Sequence, residues 1–286
     1  MSPITIGSNV QSLNAQRRLE TTSGSLAKVY QRLSSGKRIN NASDDPAGLT
    51  IADKLNADQR IASVAIRNVN DGISLVSIAD GALEQIGSVL SRLGELAEQS
   101  ANGVYSSSQR SALDSEFSAL SSEIERVAQT TVFNGFGLIS GGNAISLQVG
   151  LDSQATSQIK IQSLTGTLAG LGLANGSSVQ IYSLNDTTAA GGVSASRAAL
   201  DGINRAISSL TSLRGALGSG ESRLRSAVAN LSSTRENYAS AESRIRDTDV
   251  ASDAAELTRL NILQQAGASV LAQVNQIPRL ALSLLG

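Results

Sequence analysis

Over most of this chain apolar residues recur at steps of three and four, the spacing of one helical face. The cleanest run is Val76, Ala79, Leu83, Ile86, Leu90, Leu93 and Ala97, which alternates the two steps as a coiled-coil seam does. Ile51, Leu55, Ala62, Ala65, Val69 and Gly72 carry the register backwards. This predicts a helix to about Ala101, roughly 75 Å long at 1.5 Å per residue. Asp44 or Asp45 is placed to cap its start, with Pro46 pre-set for the first turn. An acidic metal site at the same two carboxylates is the competing reading.

Asn102-Gly103 ends this helix before a second, with seam Leu113, Phe117, Leu120, Ile124 and Val127. A third spans about 198 to 245, on the stripe Ile203, Ile207, Leu210, Leu217, Leu224, Val228, Leu231, Tyr238 and Ile245. Arg214, Glu221, Arg235 and Glu242 interrupt that register, either as a solvated seam or as charges that set register or meet a neighbouring molecule. An earlier helix is predicted over 4–33, carrying Val10, Leu13, Leu26, Val29, Tyr30 and Leu33, and stopped by Ser34-Ser35-Gly36.

The two ends differ from the rods. Residues 257–286 contain no acid, and their apolar residues Leu257, Leu260, Leu263, Val270, Leu271, Val274 and Ile277 are joined off-stripe by Ile262, Leu280, Leu282, Leu284 and Leu285. A helix apolar round most of its circumference must be surrounded. It is no membrane span, because Gln264, Gln265, Gln273, Asn275, Gln276 and Arg279 break every window of roughly 20 residues. Residues 1–19 are acid-free as well. The termini are therefore expected to bury each other, and neighbouring copies to bury both. In the isolated subunit the ends are expected to be poorly ordered, folding as assembly supplies the missing burial.

The texture changes after Val127. Period-two alternation at Ile145, Leu147 and Val149, then at Ile159 and Ile161, predicts one β-hairpin. Residues 163–196 are rich in Gly, Ser, Thr and Ala and read as an exposed tip or linker, with a short strand over 179–184. The fold class is thus mainly α: long antiparallel coiled-coil-like rods, paired terminal helices and one small β-hairpin region. Three parts are expected: 1–40 with 246–286 as an inner domain, 41–165 with 197–245 as a rod domain with its hairpin near 144–162, and 166–196 as a loop or tip.

Composition narrows the chemistry. The chain has no Cys, His or Trp among 286 residues, so thiolate nucleophiles, imidazole bases and the usual zinc ligands are excluded. No enzyme and no cofactor is expected. With 23 basic and 24 acidic residues there is no field to attract nucleic acid. No apolar run near the N-terminus resembles a cleavable signal peptide.

Two long stretches carry a resemblance. LSSGKRINNASDDPAGLTIADKL (Leu33 to Leu55) and SRIRDTDVASDAAELTRLNILQQAGASVLAQVNQIPRLALSLL (Ser243 to Leu285) are similar to the N- and C-terminal signatures of bacterial flagellins, with support from LGELAEQSANG and Phe133 to Gly135. The resemblance implies a subunit of the extracellular flagellar filament, exported unfolded through the flagellum's own secretion channel without a cleaved signal. It implies self-assembly, an export chaperone at the C-terminal segment, and contacts with cap and hook-junction proteins. The inter-subunit core would be Val10, Leu13, Leu26, Leu33, Leu257, Leu260, Leu263, Val270, Leu271, Val274 and Ile277. Many flagellins are ligands of Toll-like receptor 5, and Arg92, Leu96 and Glu123 match the contact positions. Only about thirty residues separate hairpin and third rod, which implies a short form without large outer domains.

The rivals are a hook–filament junction protein of the same family, a secreted coiled-coil adhesin, against which the acid-free ends argue, and a flagellin with a metalloprotease insert. The last needs HExxH, and a sequence without His has none.

Overall fold

The computed structural model describes residues 9–175, 180–185 and 189–283, with backbone alone at 189–190 and 277–283. Five long helices dominate: α1 (Val10–Ser35), α2 (Pro46–Ala101), α3 (Ser107–Thr130), α4 (Ala189–Arg246) and α5 (Val250–Ser283). Four short strands, β1 (Val132–Phe133), β2 (Phe136–Gly137), β3 (Ile145–Gln148) and β4 (Gln158–Ile161), form two antiparallel pairs. The fold is mainly helical, as the periodicity predicts. It divides into two compact units, one of residues 1–59 with 236–286 and one of residues 60–235.

In the second unit the coiled-coil seam is the core. Val76, Ala79, Leu83, Ile86, Leu90, Leu93 and Ala97 are all buried, against Phe117 and Ile124 of α3 and Ile203, Leu210, Leu217 and Leu224 of α4. The backward extension holds through Ala62, Ala65 and Val69, but Ile51, in the first unit, is exposed and Ala52 is buried instead. A straight helix of 3.6 residues per turn drifts from a strict 3.5 repeat, so the seam shifts by one position over several turns.

The predicted hairpin is β3–β4, with Ile145 opposite Ile161 and Leu147 opposite Ile159. Gly72 makes room for it, since a Cβ there would collide with Leu147 Cδ1. A second, unexpected hairpin pairs β1 with β2 across Asn134-Gly135. Both turn residues have positive φ, 48° and 82°, as a two-residue primed turn requires.

Of the segment after the hairpin, the described residues 163–175 and 180–185 are not the exposed loop that its composition predicts. Leu164, Leu168, Leu171, Leu173 and Leu184 are buried and join the main core. Leucines spaced irregularly among glycines carry no period, which is why the segment reads as linker. Its expected strand is absent among the described residues, where a single bridge links Ala174 to Gln180; Val179 itself lies outside them. The third rod also starts earlier than expected, at Ala189.

Two charged side chains organise this unit. Arg110 is almost completely buried, donating from Nη1 to Ser100 O at 3.1 Å and from Nη2 to Tyr105 O at 2.8 Å. It caps the carbonyl end of α2, where the helix dipole favours a cation, and so holds the α2–α3 reversal. Ser106 and Gln109 complete the reversal with a capping box at the start of α3. Arg214 of α4 donates from Nε and Nη2 to both Asp80 carboxylate oxygens of α2, at 2.8 and 3.0 Å, with Glu84 at 3.7 Å. Of the charges in the third rod's register, Arg214 therefore ties α4 to α2. Glu221 pairs along its own helix with Arg225.

The hydrogen bonds from Arg214 hold the Asp80 carboxyl below its ordinary value, against an opposing effect of partial burial. A carboxylate depressed in the fold adds stability above its unfolded pKa and loses it as pH falls through the folded value. Stability measured by urea unfolding is expected to fall from about pH 5 to pH 2, and less steeply in Asp80→Asn. The difference should stay under about 1 kcal/mol because both side chains are partly exposed. In the same assay Leu83→Ala is expected to cost about 2–5 kcal/mol, and Leu263→Ala, at a half-exposed position, under about 1 kcal/mol.

Candidate assembly surface

The first unit is built on α1 and α5. Asn9 caps α1, its Oδ1 accepting from Ser12 N at 3.0 Å, and Gly36 ends it at φ 69°. Asp45 caps α2 as predicted, accepting from Gly48 N at 2.9 Å, while Pro46 opens the helix. Asp44 instead accepts from Asn40 N and Asn41 N, and these backbone donors, Asn41 first, hold its carboxyl below the usual range. Both carboxylates are thus engaged by backbone, which accounts for them without a metal.

The two stretches that carry the family resemblance touch each other. Arg38 N donates to Arg246 O at 2.6 Å and Thr248 N to Gly36 O at 3.1 Å, joining the α1–α2 loop to the α4–α5 junction. Arg246 also pairs with Asp53 at 2.9 Å, and Asn56 donates to Glu242. Glu242, the last charge in the third rod's register, thereby ties α4 to α2.

α1 and α5 run in opposite senses against one another. Leu26 and Val29 of α1 bury with Leu260 of α5, flanked by Leu33 and Leu257. A Cβ at Gly267 would lie 3.4 Å from Leu19 Cδ1, so the helices approach closely there. Polar groups fix the register. Asn9 Nδ2 donates to Val274 O at 3.2 Å, Ser12 Oγ to Asn275 Oδ1 at 2.8 Å, and Gln264 Nε2 to Ser23 Oγ at 3.4 Å.

One helix cannot cover the other. Leu260 is 4% exposed, but Leu13 is 56%, Val270 51% and Ile262 60% exposed, with Val10 and Leu263 similarly open. Leu33, Leu257, Leu271 and Val274 are half-buried, and the Ile277 side chain lies outside the described residues. Of the eleven terminal residues singled out in the sequence, Leu26 and Leu260 are fully buried within the subunit.

The expected receptor positions do not form one accessible patch. Arg92 bridges Glu95 and Glu116 at 2.9 and 2.8 Å, all three exposed, and the half-buried Glu123 pairs with the exposed Arg126. Leu96 is 1% exposed, packed in the coiled-coil core, so its side chain is not available as a contact. The family resemblance alone points to it, and next to Leu93 and Ala97 of the seam it is drawn into the core. Arg110, which no motif singles out, is the structural side chain missed by the sequence reading. A lone arginine just after a helix break is its only signal.

The family described as the bacterial flagellin N-terminal helical region matches residues 6–144, and the bacterial flagellin C-terminal helical region matches 200–285. A flagellin of Halalkalibacterium halodurans is 38% identical over 283 residues, covering 98% of this chain and 99% of its own. Flagellin A of Vibrio anguillarum is 33% identical over an alignment of 379 positions, covering 99% of each. That alignment is longer than the present chain, which is accordingly a short form. The crystal structure of Bacillus cereus flagellin matches with 26% identity and a TM-score of 0.48, over 58% of this chain and 88% of that one. By its sequence from end to end, the chain belongs to the bacterial flagellin family: it is a structural subunit of the extracellular flagellar filament and not an enzyme.

Proposed function

We propose that the chain polymerises through α1 and α5, and that these helices complete their burial only between copies. The observation that carries this reading is the contrast in exposure between the α2 seam, buried within the subunit, and the terminal stripes, left half open. Val10, Leu13, Leu263 and Val270, with the half-buried Leu33, Leu257, Leu271 and Val274 and with Ile277, form the inter-subunit core, while Leu26 and Leu260, already buried in the subunit, hold α1 to α5. The unit of residues 1–59 and 236–286, which holds both helices, is then the filament core. A contact between different faces of successive copies, repeated with a rotation, does not close and generates a helical tube.

The same exposed residues imply a custodian before assembly. A chaperone that covers Ile262, Leu263 and Val270 would keep the C-terminal helix from premature association, and cap and junction proteins would meet the same surface at the polymer's ends. Isolated α1 and α5 are the least stable parts of the subunit, since few buried contacts hold them. Amide exchange there is expected to be fast in the monomer and strongly slowed in the polymer.

The test is polymerisation of the purified chain, read by sedimentation and negative-stain electron microscopy. A truncation lacking 257–286 is expected to stay soluble and helical by circular dichroism yet form no filaments. Leu263→Gln combined with Val270→Gln should keep the monomer's melting temperature within about 3 °C, since surface substitutions cost little, and reduce pelleted polymer at least tenfold. Filaments from either protein at wild-type yield would overturn the proposal.

A further inference from the structure

Between α1 and α5 lies a groove of about 880 Å³, floored by Leu19, Leu263, Gly267 and Val270 and edged by Arg17 and Arg18. No carboxylate among the described residues pairs with either arginine; Arg17 meets the Asn14 side chain oxygen, and both are exposed. The groove is apolar within and cationic at its edge, so it fits a helix with an apolar stripe beside an acidic one.

The chain itself carries such a helix. Over Asp247 to Thr258 there are four acids and no base; Arg259, the next residue, pairs with Glu256, and Asp253 accepts from the Thr248 hydroxyl. Asp249, Asp253 and Glu256 follow steps of four and three and share one face of the chain entering and forming α5. Val250, Ala254 and Leu257 form the adjoining stripe at the same steps, and Val250 and Ala254 are exposed. Small residues at Ala251, Ala254 and Ala255 allow close helix approach.

These two elements cannot meet within one subunit. Arg17 and Arg18 lie opposite the part of α5 around Ala266 and Gly267. The acids sit 10 to 18 positions earlier on the same continuous helix, roughly 15 to 27 Å away along its axis. We propose that the Arg17–Arg18 groove of one copy seats the acidic first turns of α5 from a second copy, displaced along the helix axis by that distance. This inference rests on the reading that α1 and α5 carry the polymer contacts, and adds to it the pairing and the stagger. A displaced pairing of two different faces leaves a free groove on one copy and a free acidic helix on the other, so growth continues.

The test uses two full-length variants, Arg17→Glu with Arg18→Glu, and Asp253→Arg with Glu256→Arg. Each alone is expected to pellet at least tenfold less polymer than the wild type, with unchanged helicity by circular dichroism. Mixed one to one, they should restore polymer to at least a third of the wild-type yield, because each groove then meets a helix of opposite charge from the other variant. The four-substitution chain, carrying both swaps, should polymerise alone. Wild-type yield from either single-sided variant overturns the proposal. So does failure of both the mixture and the four-substitution chain when helicity is retained. Should the Leu263→Gln, Val270→Gln chain still polymerise, the terminal-helix reading falls. If that chain fails while the charge variants assemble normally, only the pairing proposed here falls.

Discussion

A helix that is apolar over most of its circumference needs more neighbours than one antiparallel partner can provide, and α5 is such a helix. Its partner α1 covers Leu260 and half-covers Leu257, Leu271 and Val274, leaving Ile262, Leu263 and Val270 facing outward. Apolar surface left in water is unfavourable by about 25 cal/mol per Å². Burying the exposed remainder of each such side chain is worth on the order of 1 kcal/mol, and the gain recurs at every subunit added to a polymer. The polar bonds between α1 and α5 contribute less to this balance than to its geometry. Asn9, Ser12 and Gln264 each find a partner in a single register, so the pair presents one defined surface to the next copy.

The unit of residues 60–235 solves the opposite problem. Its seam residues are satisfied within the chain, by α3, α4, the β3–β4 hairpin and the buried leucines of 163–185. Charges enter where they set geometry. Arg214 joins α4 to α2 at Asp80, and Arg110 turns α2 into α3 by binding backbone carbonyls. Each gives a long helix a fixed register, which apolar contacts repeating every turn would leave free to slide. Folding of this unit and the proposed assembly through the other thus draw on separate sets of residues.

Much of this was legible in the sequence because helical and strand periods are local properties. The α2 seam, the Pro46 start, the Gly36 stop and the β3–β4 alternation each follow from a few neighbouring residues. The misreadings share a cause. Ile51 sits where a local register misleads, and its exposure depends on how far the seam has drifted; Leu96 is carried over by resemblance alone, and its burial depends on which helix lies opposite. The leucines of 163–185 pack individually, with no period to announce them. The Asn134-Gly135 turn could have been found, since that dipeptide between short apolar runs is a strong hairpin signal. Arg110 could not, because only the three-dimensional meeting of its guanidinium with Ser100 O and Tyr105 O gives it a role.

The acid-free character of the ends takes on a further meaning from the distribution of charge along α5. Its acids are confined to the first two turns, with Asp253 in the first, where the helix dipole stabilises it, and its apolar girdle follows. Along α1 the arginines 17 and 18 lie far from the end that meets those acids, because the two helices run in opposite senses. Had the opposite charges been level, they would have paired within the subunit and closed the surface. Their offset leaves each copy with one cationic groove that no carboxylate among the described residues enters, and one acidic helix start whose Glu256 pairs along its own helix with Arg259. Apolar burial supplies a driving force without direction, and a staggered charge pair supplies the direction, so that a surface able to aggregate at random is instead biased toward one repeated step.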